Sequence, residues 1–150
     1  MKHETFHNAT FKGQSDTAAP VRDYLCAHRD ALSHAADLLG GNEAAKSVDW
    51  LADALAQQTP ASRRADRLLD DLLDLLSLKN VGDPDRPESG YFSLICPADP
   101  AVEEIFLLTD GLSQAREEMR ERERRFGSLD AANNNRIELG GSKLESRNAK

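Results

Sequence analysis

The feature that most constrains the fold is a leucine-rich run, RLLDDLLDLLSL, at residues 67–78. Projected at 100° per residue, its leucines cover more than half of the circumference of a helix, which is wider than the apolar stripe of a surface helix. Such a helix has to contact several neighbours. The run therefore predicts a helix at about 61–79 in the centre of an all-α domain. These leucines are Leu68, Leu69, Leu72, Leu73, Leu75, Leu76 and Leu78.

Two helices are predicted before this run. Apolar residues at steps of four and seven indicate a first helix at about 18–39, which Gly40-Gly41 terminates. Asn42 is a favourable N-cap for a second helix at about 43–57. Connections of only a few residues favour antiparallel packing of these first three helices.

A fourth helix is predicted at about 100–126. Asp99 supplies a cap, Pro100 suits the first helical position, and Glu103-Glu104 fall in the first turns, where the helix dipole favours acids. Together the four helices predict an irregular four-helix bundle. The long connection from Gly82 to Asp99 would let the last helix cross over.

One short stretch does not fit the helical pattern. The run YFSLIC, residues 91–96, alternates like a strand with apolar groups on both faces, and it predicts a short extended segment. An unpaired strand leaves backbone groups unsatisfied. The segment could lie across the bundle as a connector, pair with the N-terminal TFHNATF stretch, or pair between chains by strand addition.

The ends of the chain are polar. Residues 1–16 predict a flexible arm whose only large apolar groups are Phe6 and Phe11, and residues 128–150 predict a disordered polar tail. The helical bundle domain is accordingly expected at 17–127.

The charge of the chain narrows the class of partner. A net charge of −7 argues against nucleic acid and against an anionic membrane surface, and the lack of a long apolar run argues against a membrane span. We expect a cytoplasmic protein. The charge is nevertheless polarised, since residues 116–150 carry nine Lys or Arg against seven acids while residues 1–115 carry ten against nineteen.

No motif predicts chemistry. Cys26 and Cys96 lack CxxC spacing, and two cysteines are too few for a disulfide framework, so reduced thiols are expected. Cys26 and His34 lie with three aspartates on the outer face of the first helix, but no second ligand pair follows, and no metal is predicted. The sequence has no nucleophile or phosphate-loop signature, so neither an enzyme nor a cofactor is expected.

The sequence therefore favours a non-catalytic protein–protein interaction module, an adaptor or regulatory protein that binds another protein or forms a homodimer. The alternative is a small nucleic-acid-linked regulator, of the repressor or antitoxin type, that uses the Arg-rich last helix. The predicted partner-binding residues lie in the 91–96 segment and at the charged end of the last helix. They are Tyr91, Phe92, Leu94, Ile95, Met119, Arg120, Arg122, Arg124, Arg125 and Phe126.

Overall fold

The computed structural model describes residues 16–57 and 61–138, with the side chains described as far as residue 128. Five helices account for most of this part of the chain, which contains no strand. They are α1 (Ala19–Ala27), α2 (Arg29–Ala56), α3 (Arg63–Leu76), α4 (Pro87–Phe92) and α5 (Pro100–Glu138). The all-α prediction is confirmed. Residues 1–15 of the predicted arm and 139–150 of the predicted tail lie outside the described residues.

The long helix α2 reverses direction at Gly41, which has φ +67° and ψ −171°. The side chain of Arg29 contacts the carboxylates of Asp49 and Asp53 at 2.8 and 3.0 Å. Twenty residues of straight helix would hold Arg29 and Asp49 about 30 Å apart, so the two arms, residues 29–40 and 42–56, fold back on each other. The predicted break at Gly40-Gly41 is therefore confirmed.

The first predicted helix is also divided near its middle. At His28 the backbone leaves helical geometry, with φ −119° and ψ 19°, which separates α1 from α2. The amide of His28 still donates to the carbonyl of Tyr24, and its own carbonyl accepts from Leu32. Backbone hydrogen bonding of the helical i,i+4 kind therefore continues across the break.

The helix at the centre is α2 and not the leucine-rich α3. α2 packs against each of the other four helices, whereas the main neighbours of α3 are α2 and α5. Ala65, Leu69, Leu72 and Leu76 form the buried face of α3, while Leu68, Leu73, Leu75 and Leu78 are only half-buried. The predicted central position of α3 is thus not confirmed, because half of its wide apolar surface lies at the margin of the core and α2 contributes two helical arms.

Sequence signals fix where two helices begin. The Oγ of Ser62 accepts from the amide of Ala65 at 3.2 Å and caps α3, close to its predicted start at about residue 61. Asp99 Oδ1 accepts from the amide of Ala101 at 2.9 Å, which confirms the predicted start of α5. α5 ends at Glu138, beyond the predicted end near 126 and beyond residue 128, where the tail was expected to start.

Both α1 and α3 run antiparallel to α5. Tyr24 of α1 contacts α5 at Leu108, while Pro20, one turn earlier, lines the same surface depression as Glu118. On α3 the carbonyl of Leu76 accepts from Thr109, and Asp66 pairs with Arg116. These contacts place the starts of α1 and α3 near residues 116–120 of α5.

The core between the helices is aliphatic. Its largest fully buried side chains come from both arms of α2 and from α1, α3 and α5. They are Val21, Leu25, Leu32, Leu39, Val48, Leu51, Leu69, Leu76, Ile105, Leu112 and Met119.

Candidate functional site: two exposed surfaces

The predicted extended segment is a helix end followed by turns. Tyr91 and Phe92 close α4, and the amides of Leu94 and Ile95 donate to the carbonyls of Tyr91 and Phe92 at 3.1 and 2.9 Å. Local bonds therefore satisfy the backbone that a strand would have offered to a partner. The strand prediction for 91–96 is wrong, and strand addition at this segment is excluded by this conformation.

The side chains of this turn divide between two environments. Phe92 and Ile95 pack against the core and are half-buried. Tyr91 is 43% exposed and Leu94 is 84% exposed. Two of the four predicted residues thus anchor the turn and two present apolar surface to solvent. We call residues 91–96 the α4 turn.

The charged end of the last helix is also exposed. Every side chain from Arg120 to Ser128 is exposed, whereas Met119, one residue earlier, is fully buried and packs in the core. Met119 therefore offers no surface to a partner in this conformation. We call the stretch from Arg120 to Glu138 distal α5.

Carboxylates pair with three of the four arginines of distal α5 whose side chains are described. Arg120 lies 3.3 Å from Asp70 of α3, Arg124 lies 2.7 Å from Glu117, and Arg125 lies 3.5 Å from Glu121. Among the described residues, Arg122 forms no ion pair. The arginines thus lie in an alternating pattern of charge that gives little positive field.

Phe126 is the one large apolar side chain among the described side chains of distal α5, and it is 39% exposed. It follows Met119 by seven residues, as Met119 follows Leu112, so all three lie on one stripe of the helix. The apolar stripe that faces the core therefore continues one heptad beyond the end of the bundle.

A buried cation holds α5 against α3 just before this projection. Arg116 is 7% exposed, and its Nη1 donates to Asp66 at 3.0 Å. Its Nε lies 3.3 Å from Asp70 Oδ1, but it is not aligned to donate a hydrogen bond to it. In the sequence, the i,i+3 relation of Arg116 to core residue Met119 was the signal that it lies inside.

Two large apolar side chains near the start of α5 lie outside the core. Phe106 and Leu107 of α5 are 50% and 66% exposed. The buried positions are Val102, Ile105, Leu108 and Leu112, whose three- and four-residue spacing excludes 106 and 107 from the inner face. That spacing was the signal available in the sequence.

Hydrogen bonds or burial raise the pKa of three side chains in the described structure. A hydrogen bond with Asp16 raises the pKa of Arg22, and hydrogen bonds with Asp49 and Asp53 raise the pKa of Arg29. Burial raises the pKa of Tyr24, whose hydroxyl donates to the carbonyl of Leu108 at 3.2 Å. All of these contacts join helices or helix ends, and each therefore serves packing.

The residues considered as metal ligands lie apart from any enclosed site. Cys26 and His34 are exposed, and Cys96 is exposed in the α4 turn. Within the described part of the chain, no three or more His, Cys, Asp or Glu side chains form a group that could hold a metal ion. In the same part, no helix is both long and apolar enough to cross a membrane.

Comparison with known proteins gives no relative from which a function could be transferred: no family model, no curated protein and no solved structure matches this chain.

Proposed function

We propose that this chain is a non-catalytic protein–protein interaction module, of the adaptor or regulatory kind, that binds another protein or a second copy of itself. The two binding surfaces are the α4 turn and distal α5. The proposal includes a cytoplasmic location, for which the acidic composition and the lack of a long apolar run are the support.

The observation that carries the proposal is the projection of α5 beyond the bundle. From Arg120 to Glu138 the helix extends by about 27 Å at 1.5 Å per residue. Helices of this length are marginal in water without packing, although i,i+4 ion pairs such as Glu121–Arg125 support them. A partner helix that packs on this projection would stabilise it.

Phe126 gives such a partner a defined point of contact. It continues the stripe of Leu112 and Met119, so a helix laid along it would extend the packing that already exists inside the bundle. Large aromatic side chains contribute disproportionately to binding free energy when a partner covers them.

The α4 turn gives a partner a second contact surface, which is anchored to the core. Phe92 and Ile95 hold the turn against the core. Leu94 faces outward, and Tyr91 lies against Gly41 but is still 43% exposed. Because its backbone is bonded locally, this surface would bind through side chains and not by adding a strand.

Substitution of one residue on each surface tests the proposal. Leu94→Ser with Phe126→Ser removes one exposed apolar side chain from each surface, and truncation after Glu121 removes most of distal α5 while keeping Met119. We expect loss of self-association in sedimentation experiments, or loss of a partner that wild-type protein retains from its native cell. Lys79→Ser, an exposed change elsewhere, is the control.

Circular dichroism must show that each variant keeps its helices. If the wild-type protein is monomeric and retains no partner, or if the folded variants keep the same partners and mass, the proposal is wrong.

The alternative of a nucleic-acid-linked regulator has less support in the geometry. Arg120, Arg124 and Arg125 pair with carboxylates, which would have to be displaced before phosphates could bind. Retention on DNA at low salt, lost steeply as salt rises, would restore this alternative.

A further inference from the structure

The start of α5 carries an exposed stripe that neither of these two surfaces includes. Glu103, Phe106, Leu107 and Asp110 follow one another at steps of three, one and three residues, which places them on one side of the helix. All four are exposed, opposite the buried Ile105 and Leu108. Two large apolar side chains thus lie between two carboxylates on a face that no other helix covers.

All charged residues in the part of the sequence that contains this stripe are acidic. Between Arg86 and Arg116 the sequence contains no Lys, Arg or His but five acids, which are Glu88, Asp99, Glu103, Glu104 and Asp110. Among the described residues, Glu103, Glu104 and Asp110 form no ion pair. Acids of α3 and of the later part of α5 do form ion pairs; they are Asp66, Asp70, Glu117 and Glu121. These three carboxylates are therefore not paired with a cation within the described structure.

We propose that the face formed by Glu103, Glu104, Phe106, Leu107 and Asp110, the acidic apolar face, docks an amphipathic, basic segment of a partner protein. Apolar side chains of that segment would cover Phe106 and Leu107, and its Lys or Arg residues would contact the surrounding carboxylates. Charge complementarity of this kind accelerates association and sets orientation.

The sign of the charge decides between classes of ligand. An anionic lipid surface or a nucleic acid would be repelled by Glu103, Glu104 and Asp110, although an apolar pair alone could suit a membrane. A second copy of the chain fits less well, since distal α5 alternates Glu with Arg and offers no concentrated positive charge. A basic protein segment is the occupant that satisfies both the apolar and the ionic parts of the face.

Titration with a defined peptide tests the inference. The probe is a fluorescent synthetic amphipathic helix built from Leu and Lys, and its binding to the full chain is followed by anisotropy at several salt concentrations. We expect binding by wild-type protein that weakens with salt. Phe106→Ser with Leu107→Ser should weaken binding by about tenfold or more, as loss of the central apolar contacts does in other interfaces.

Charge variants separate a local site from general attraction to an acidic protein. Glu103→Gln with Glu104→Gln removes two charges at the face, and Asp71→Asn with Asp74→Asn removes two exposed charges of α3. We expect about three- to tenfold weaker binding and a shallower salt dependence for the first pair, and less than about a twofold change for the second. Thermal melts check that both pairs remain folded.

Three results would overturn the inference: no binding of the peptide to wild-type protein, equal effects of the two charge pairs, or full binding by the folded Phe106→Ser/Leu107→Ser variant. None of them bears on the proposed function, because the α4 turn and distal α5 are unchanged in these variants. Conversely, Leu94→Ser with Phe126→Ser should leave binding of the Leu/Lys peptide intact.

Discussion

Tyr91 covers Gly41 so closely that no side chain fits between them. A Cβ added to Gly41 would lie 2.6 Å from the hydroxyl oxygen of Tyr91 and 3.1 Å from Cζ, whereas real contacts of this kind exceed 3.0 Å. Gly41 is also the residue at which α2 reverses. The contact therefore holds the α4 turn against the point where α2 reverses. Gly41 provides both the positive φ of the reversal and the space that Tyr91 occupies.

Replacement of Gly41 by alanine should destabilise the protein. The φ of +67° with ψ near 180° belongs to a region that is almost confined to glycine, which costs of order 1–3 kcal/mol for other residues, and the methyl group would in addition displace Tyr91. We expect the free energy of unfolding, measured in urea, to fall by about 2–4 kcal/mol.

Two comparisons isolate the causes of that loss. In a Tyr91→Ala background, Gly41→Ala should cost less, because the backbone strain remains while the collision is gone. Gly90→Ala in α4, where a Cβ meets nothing within 4 Å, should be neutral or slightly stabilising. An equal cost of Gly41→Ala with and without Tyr91 would show that the contact does not constrain the site.

Replacement of Gly111 by alanine is a second change that we expect to destabilise the protein. Alanine normally stabilises a helix interior by about 1 kcal/mol relative to glycine, but a Cβ at Gly111 would overlap the hydroxyl of Tyr24 and lie 2.6 Å from its Cε2 and Cζ. We expect Gly111→Ala to lower the melting temperature and Gly127→Ala, in the same helix with open space around it, to raise or preserve it. A stabilising Gly111→Ala would mean that Tyr24 moves aside at little cost.

Local chemistry allowed part of this fold to be predicted. The Gly40-Gly41 break and the Asp99-Pro100 start of α5 were readable because each depends on one or two residues with a restricted conformation or a capping group. The break at His28 could not be read, since no residue there has a special backbone preference. The central role of α2 also followed only from how the helices meet.

The largest error in the prediction from sequence was the extended segment at residues 91–96. YFSLIC is rich in residues that favour strands, but a largely apolar run of six residues cannot distinguish a strand from a helix end. Pro87-Glu88 just before it was a helix-start signal, and the structure places Pro87 at the first position of α4. Whether the predicted partner-binding residues bind a partner depends on a second molecule, and they stay predictions.

The partly buried hydroxyl of Tyr24 should make stability depend on pH in alkaline solution. Burial raises its pKa above the ordinary value of 10.0, so above pH 10 the unfolded chain loses this proton before the folded chain does. The contribution of Tyr24 is complete below pH 10 and is lost as pH rises from 10 through the folded pKa. We expect the stability of wild-type protein to fall more steeply over this window than that of Tyr24→Phe.

The measurement is urea unfolding of both proteins from pH 8 to 11. Below pH 10, Tyr24→Phe should be less stable by a constant amount of about 0.5–1.5 kcal/mol, which is the usual contribution of one hydrogen bond, here to Leu108. Parallel profiles for the two proteins above pH 10 would show that Tyr24 is not the group responsible.

Arg116 should be the most important charged side chain for stability. Its guanidinium is almost fully buried and contacts Asp66 and Asp70, so its removal leaves Asp66 without its cation and leaves Asp70 with only the exposed Arg120. Because the side chains of these acids are 37% and 50% exposed, water recovers part of the loss. We expect Arg116→Ala to destabilise by about 1–3 kcal/mol in urea unfolding.

Two further variants separate charge from packing at this position. Arg116→Met keeps most of the apolar stem beside Met119 and should recover part of the loss, since the long side chain of arginine also fills space. Arg124→Ala breaks the exposed pair with Glu117 and should change stability by less than about 1 kcal/mol, because solvent screens that pair. If Arg124→Ala cost as much as Arg116→Ala, burial would not explain the role of Arg116 in holding α5 to α3.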